Sequence, residues 1–94
     1  MAIAGFKHKG LQRFFTRGTT AGIQAQHAKR LRLILAFLSI AEAPSEMALP
    51  GYNLHPLKSD RRGTWAVRVS GNWRVTFRFE GPDAMDVNYE DYHR

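Results

Sequence analysis

Cysteine is absent from the 94-residue chain, so neither a disulfide nor a cysteine-ligated zinc can staple the fold. Stability must come from packing. A chain this short exposes a large share of its surface, burying only about two-thirds of what its unfolded form shows, which limits it to one modest core and a single domain over residues 1–94. Long hydrophobic runs are missing too: the most apolar stretch, Leu33 to Ala41, falls far short of the roughly 20 residues of a membrane span. The N-terminus lacks the apolar run and cleavage site of a secretory signal. The cytoplasm is therefore the expected address, with no membrane partner. Internal repeats, low-complexity tracts and linkers are also lacking.

The most informative absence concerns charge of one sign. Residues 1–41 contain no Asp or Glu but seven Lys and Arg, namely Lys7, Lys9, Arg13, Arg17, Lys29, Arg30 and Arg32. The remaining chain holds the other seven bases and all eight acids, for a formal net charge of +6. Such a field concentrates polyanions and suits salt-sensitive contact with a phosphate backbone. A solvated helix face, or docking to an acidic protein, accounts for the same composition. Chemistry has to separate these alternatives.

With 44% hydrophobic and 23% charged residues, the chain has a globular composition. Ile3 to Phe6 reads as a short edge strand. Leu11, Phe14 and Phe15 at i, i+3, i+4 spacing predict a short amphipathic helix over Gly10 to Thr16, ended by the stretch Gly18 to Gly22. No Gly or Pro interrupts Gln24 to Glu42, where Ala28, Leu31, Ile34, Leu35, Leu38 and Ala41 recur opposite Lys29, Arg30 and Arg32. This is the main helix, with Pro44 and Pro50-Gly51 beyond it.

After Gly51 the period changes to two. Tyr52 to Lys58 reads as a first strand, with Pro56 implying an edge or bulge. Trp65, Val67 and Val69 alternate with polar or small residues, as do Trp73, Val75, Phe77 and Phe79 after the Ser70-Gly71 turn. Met85, Val87 and Tyr89 alternate with Asp86, Asn88 and Glu90 after Gly81-Pro82-Asp83. The expected fold is α+β, with two N-terminal helices packed on one face of an antiparallel meander sheet. That parity places Arg68, Asn72, Arg74, Thr76 and Arg78 on an open, basic face.

Three elements could carry chemistry. The chain ends in Asp91-Tyr92-His93-Arg94, a dense run of ionisable groups that could equally be a frayed polar terminus. His55 and Lys58 lie three residues apart on a proline-disturbed strand, where a structural histidine is the ordinary alternative. Asn72 and Arg74 follow the hairpin turn; arginine clamps a phosphate with two hydrogen bonds, whereas asparagine after glycine is common turn chemistry. RNA cleavage without a metal requires a base for the 2′-hydroxyl proton, an acid for the leaving 5′-oxygen, and donors on the phosphate. Histidine ordinarily titrates near pH ~6.5, so His55 and His93 suit base and acid, while Asp91 could act as base or orient a histidine. Neither a cofactor nor a metal is expected.

Together, the segments Gly51 to Lys58, Gly71 to Phe79 and Asp86 to His93 resemble the signature segments of HigB toxins, members of the RelE/ParE superfamily of bacterial toxin–antitoxin pairs. Phe6 to Leu11 and Gly22 to Leu35 fit as well, so the resemblance covers nearly the whole chain. It implies a ribosome-dependent messenger-RNA endonuclease acting in the 30S decoding site, alongside ribosomal RNA. It also implies neutralisation by a helix-turn-helix antitoxin, with the complex binding operator DNA. The family's catalytic histidine falls on His55 and its Asp-Tyr-His ending on Asp91, Tyr92 and His93, while Lys58, Asn72 and Arg74 match positions that bind or orient nucleic acid. A non-catalytic toxin like the gyrase-directed branch, or a plain nucleic-acid-binding module, remains the alternative.

Overall fold

The computed structural model describes residues 2–92. Strand β1 (Ala2–Ile3) leads into helix α1 (Lys9–Arg17), and a 3-10 turn (Ala25–His27) leads into helix α2 (Ala28–Ile40). After a second 3-10 turn (Pro44–Met47) come β2 (His55–Pro56), a third such turn (Ser59–Arg61), β3 (Trp65–Ser70), β4 (Trp73–Glu80) and β5 (Asp83–Asp91). Among the described residues no helix is long and apolar enough to cross a membrane.

Helix α1 begins where His8 Nδ1 accepts a hydrogen bond from the Leu11 N–H, 2.9 Å away. Desolvation pushes this ring below the usual histidine value, which preserves the lone pair the cap needs. The helix stops at Gly18, whose φ of 79° suits a glycine cap. Leu11 and Phe14 are buried as expected, but Phe15 turns outward against Phe6. Helix α2 buries Leu31, Ile34, Leu35 and Leu38, the stripe that the 3.6-residue period predicts.

The sheet order is β1-β5-β4-β3-β2. The expected antiparallel meander runs from β2 to β5, but β1 joins β5 in parallel, so the sheet is mixed. The crossover between those parallel strands contains both helices, which pack against Val67, Val69, Val75, Phe77, Ala84, Val87 and Tyr89. The expected strand over residues 52–58 shrinks to His55–Pro56, since Asn53 and Ser59 have φ near 51° and 60° and Pro56 has no N–H to donate. In β5, Asp86 has φ 54° and the pairing slips between Thr76 and Arg78. This bulge breaks the expected alternation: Ala84 and Val87 face the helices, while Met85 lies opposite Arg78 on the second face.

That second face is neither open nor simply basic. Ala66, Thr76 and Leu57 are buried there, because the segment after β2 folds back over the sheet, with Leu57 N–H donating to Thr64 O. Arg61 anchors the segment. Its Nη1 and Nη2 donate to Glu90 Oε1 and Oε2 at 3.2 and 2.7 Å, and Thr76 Oγ1 donates to Glu90 Oε2 at 3.0 Å. The Arg61 hydrogen bonds hold the Glu90 carboxyl below its usual range, against the burial that would raise it. Arg78 is paired as well, with Asp86 at 3.0 Å and Glu80 at 3.8 Å. Nor does Arg30 stand free on the helix: it donates to Gly51 O and Arg68 O and stacks over the Tyr52 ring.

Two outcomes test this packing. Gly10 in α1 and Gly22 touch backbone to backbone; a Cβ on Gly22 would sit 2.5 Å from Gly10 Cα, so Gly22→Ala should lower unfolding free energy by about 2 kcal/mol in denaturant titration. A variant as stable as wild type would show that the two segments separate at no cost. Glu90→Gln should cost about 1–2 kcal/mol at neutral pH, given the partial exposure of the pair. A carboxyl with a depressed folded-state value stabilises above its ordinary value of 4.5 and loses that contribution as pH falls through the folded one. The gap between wild type and variant should therefore narrow below about pH 4.5. A gap unchanged down to pH 2 would show that the Glu90 charge contributes nothing.

Candidate functional site

The folded-back segment leaves a cavity of about 710 Å³ at its edge, between β2, the β3–β4 hairpin and the end of β5. His55 reaches it from β2, Lys58 from the following residues, Asn72 and Arg74 from the hairpin, and Tyr92 from the end of the described chain. Five of the sequence-predicted site residues thus line one cleft. Asn53, Pro56, Leu57 and Ser59 complete the lining, which contains no Asp or Glu.

The side chains of His55 and Arg74 are held by backbone carbonyls. His55 Nδ1 donates to Asn53 O at 2.9 Å, which requires the proton on Nδ1 and leaves the Nε2 lone pair unused by this bond. Asn53 makes this possible by adopting a left-handed conformation, φ 51°, that asparagine tolerates better than most residues. Arg74 Nη1 donates to Gly71 O at 2.7 Å and Trp73 O at 3.0 Å, which orients the guanidinium through carbonyls, and among the described residues it makes no ion pair. Its buried Nε–H has no partner among the described residues. Tyr92 N–H donates to Asn72 O at 2.8 Å, tying the end of β5 to the hairpin turn.

Asp91 is placed differently. It pairs across the strand with Trp73, is exposed, and does not line the cleft. His93 lies outside the described residues. Among the described residues no group of three or more His, Cys, Asp or Glu side chains comes together to hold a metal. Among the described residues the lining instead offers two cations, a histidine, two amides and a phenol, with no acid. An anion with several oxygens fits that set.

Sequence reasoning missed Asn53, Arg61 and Glu90. The Asn53 conformation had a local signal, since asparagine beside a proline-containing strand favours such turns. The pairing of Arg61 with Glu90 joins positions 29 residues apart and has no local signature.

The chain is similar to known proteins over nearly its whole length. A model of the family described as the RelE-like toxin of type II toxin–antitoxin system HigB matches residues 4–93. The Endoribonuclease HigB of Proteus vulgaris is 46% identical over 91 residues, covering 97% of this chain and 99% of that protein. On sequence match and fold together, the chain belongs to the HigB family of RelE-like toxins from type II toxin–antitoxin systems, and its biology accordingly includes an antitoxin partner.

Proposed function

We propose that this protein is an endoribonuclease toxin that cuts messenger RNA by metal-independent acid–base chemistry in the cleft of His55, Lys58, Asn72, Arg74 and Tyr92. The observation that carries the proposal is the acid-free lining, in which His55 Nδ1–H donates to Asn53 O beside Arg74 and Lys58, two cations with no ion pair among the described residues. The endoribonuclease name of the Proteus vulgaris relative supports RNA as the substrate.

In this mechanism the phosphodiester sits against Arg74 and Lys58, with Asn72 orienting the nucleotide. His55 Nε2 accepts the proton of the 2′-hydroxyl. The 2′-oxygen then attacks phosphorus, and the bond from phosphorus to the 5′-oxygen breaks. His93 is assigned as the acid that protonates the departing 5′-oxygen, with Tyr92 donating to the phosphate. Asp91, outside the cleft lining, is assigned the orientation of His93. The products are a 2′,3′-cyclic phosphate and a 5′-hydroxyl. Charge on the crowded phosphorane is met by cations already in place, which is where fixed donors contribute most.

The resemblance to HigB toxins extends the proposal to its setting. The substrate is a message on the ribosome, held in the 30S decoding site against ribosomal RNA. The antitoxin is a helix-turn-helix protein whose complex with the toxin binds operator DNA, and the site of action is the cytoplasm.

Cleavage of a translated message, mapped by primer extension, tests the chemistry. His55→Ala should slow cutting by about 10²–10⁴-fold while leaving the thermal unfolding curve in place. His93→Ala should give a loss of similar size. Products should carry cyclic or 3′-phosphate ends. Undiminished cutting by His55→Ala would remove the base from the mechanism and with it the proposal.

A further inference from the structure

A second hollow of about 260 Å³ lies on the same face of the sheet, on the other side of the Ser59–Arg61 turn. Its lining includes the cations Lys7, Arg61, Arg62 and Arg78 and the acids Asp60 and Asp86. Two of these cations are committed, Arg61 to Glu90 and Arg78 to Asp86 and Glu80. Lys7 and Arg62, exposed and contributed by segments far apart in sequence, have no ion-pair partner among the described residues. Folding has brought to one concave site two cations that make no direct ion pair among the described residues, although the Lys7 charge is felt by Glu90, and Asp60 and Asp86 share the lining.

Strand β4 connects this hollow to the cleft. Arg74, Thr76 and Arg78 are successive residues on one face of that strand; Arg74 lines the cleft and the other two line the hollow. At roughly 3.3 Å per residue, Arg78 lies about 13 Å along the strand from Arg74. A few nucleotides of extended strand cover that distance. An elongated polyanion laid along β4 from Arg74 would cross the Ser59–Arg61 turn and come within reach of Lys7 and Arg62.

We propose that the hollow is a phosphodiester-binding subsite, in which Lys7 and Arg62 hold the backbone of the RNA substrate where it continues away from the scissile bond. This rests on the ribonuclease function proposed above. The subsite contacts phosphate and not bases, so it contributes affinity and register without sequence preference. Asp60 at its rim opposes the two cations and moderates the affinity.

The test uses the full chain and a fluorescein-labelled single-stranded RNA of about twelve nucleotides, made uncleavable by 2′-O-methyl groups and titrated across a salt series. The double variant Lys7→Ala/Arg62→Ala should bind it roughly tenfold more weakly, with the slope of log affinity against log salt reduced by about 1.4, the value expected for two lost single-strand contacts. A 2′-O-methyl dinucleotide, which reaches only the cleft, should bind both proteins alike in a chemical-shift titration. Asp60→Asn should tighten the long RNA, a direction that structural damage would not produce. Unchanged affinity and slope for the long RNA, or an equal loss for the dinucleotide, overturns the subsite. A loss seen with purified ribosomes but not with the oligonucleotide overturns it in favour of ribosomal RNA as occupant. If His55→Ala still cuts while the double variant loses long-RNA binding, the subsite stands and the catalytic proposal falls.

Discussion

The ion pair between Arg61 and Glu90, extended by Thr76, is the interaction on which the site depends. The pairing of His55 and Pro56 with β3, flanked by the Leu57 to Thr64 and Arg68 to Tyr52 backbone bonds, holds one edge of the segment that carries His55 and Lys58 but does not reach β5. The Arg61 fork ties that segment to β5, one residue before Asp91 and two before Tyr92. One carboxylate thus adds a direct side-chain link between two walls that the sheet otherwise joins only through β3 and β4. Its removal would disturb both walls together while leaving the main core of α1, α2 and the opposite sheet face intact. Local disruption of this clamp would therefore be expected to affect the cleft before the fold.

The same clamp explains why the second face has two cavities. Arg61 projects across the sheet to reach Glu90, and the Ser59–Arg61 turn becomes the ridge between the cleft and the hollow. Without it, Ala66 and Thr76 would be the floor of one shallow surface. Partition separates the cations: Lys58 and Arg74 on one side, Lys7 and Arg62 on the other.

Much of this was legible from periodicity. The α2 stripe, the β3–β4 hairpin and the side of the sheet covered by helices all follow from repeats of 3.6 and 2 residues, because burial of one face imposes them. The association of His55, Lys58, Asn72, Arg74 and Tyr92 was legible from their resemblance to HigB segments. What periodicity could not show was decided by single backbone angles or by distant pairs. The left-handed Asp86 shifts the parity of β5 and sends Met85 to the unexpected face. The parallel docking of Ala2–Ile3 on Asp83–Ala84 depends on the whole intervening chain. The open basic face failed as an expectation because Glu90 and Asp86 share it, and alternation records which side a residue takes but not whom it meets there.

The partners of the arginines show which charges the fold has neutralised. Arg61 and Arg78 meet carboxylates, so each contributes structure and little net field. Arg30 and Arg74 meet backbone carbonyls, which orient a guanidinium while leaving its charge uncompensated. Arg30 spends three donor contacts on Gly51 and Arg68 and lies flat on Tyr52, so its remaining capacity is small. Among the described residues, Arg74 bonds through Nη1 alone, has a buried Nε–H without a partner, and lines a cleft free of acids. A buried, unpaired donor on a retained charge costs stability in the empty protein, a cost that an arriving anion would relieve. The contacts of Arg74 thus suit the phosphate-binding role proposed for it.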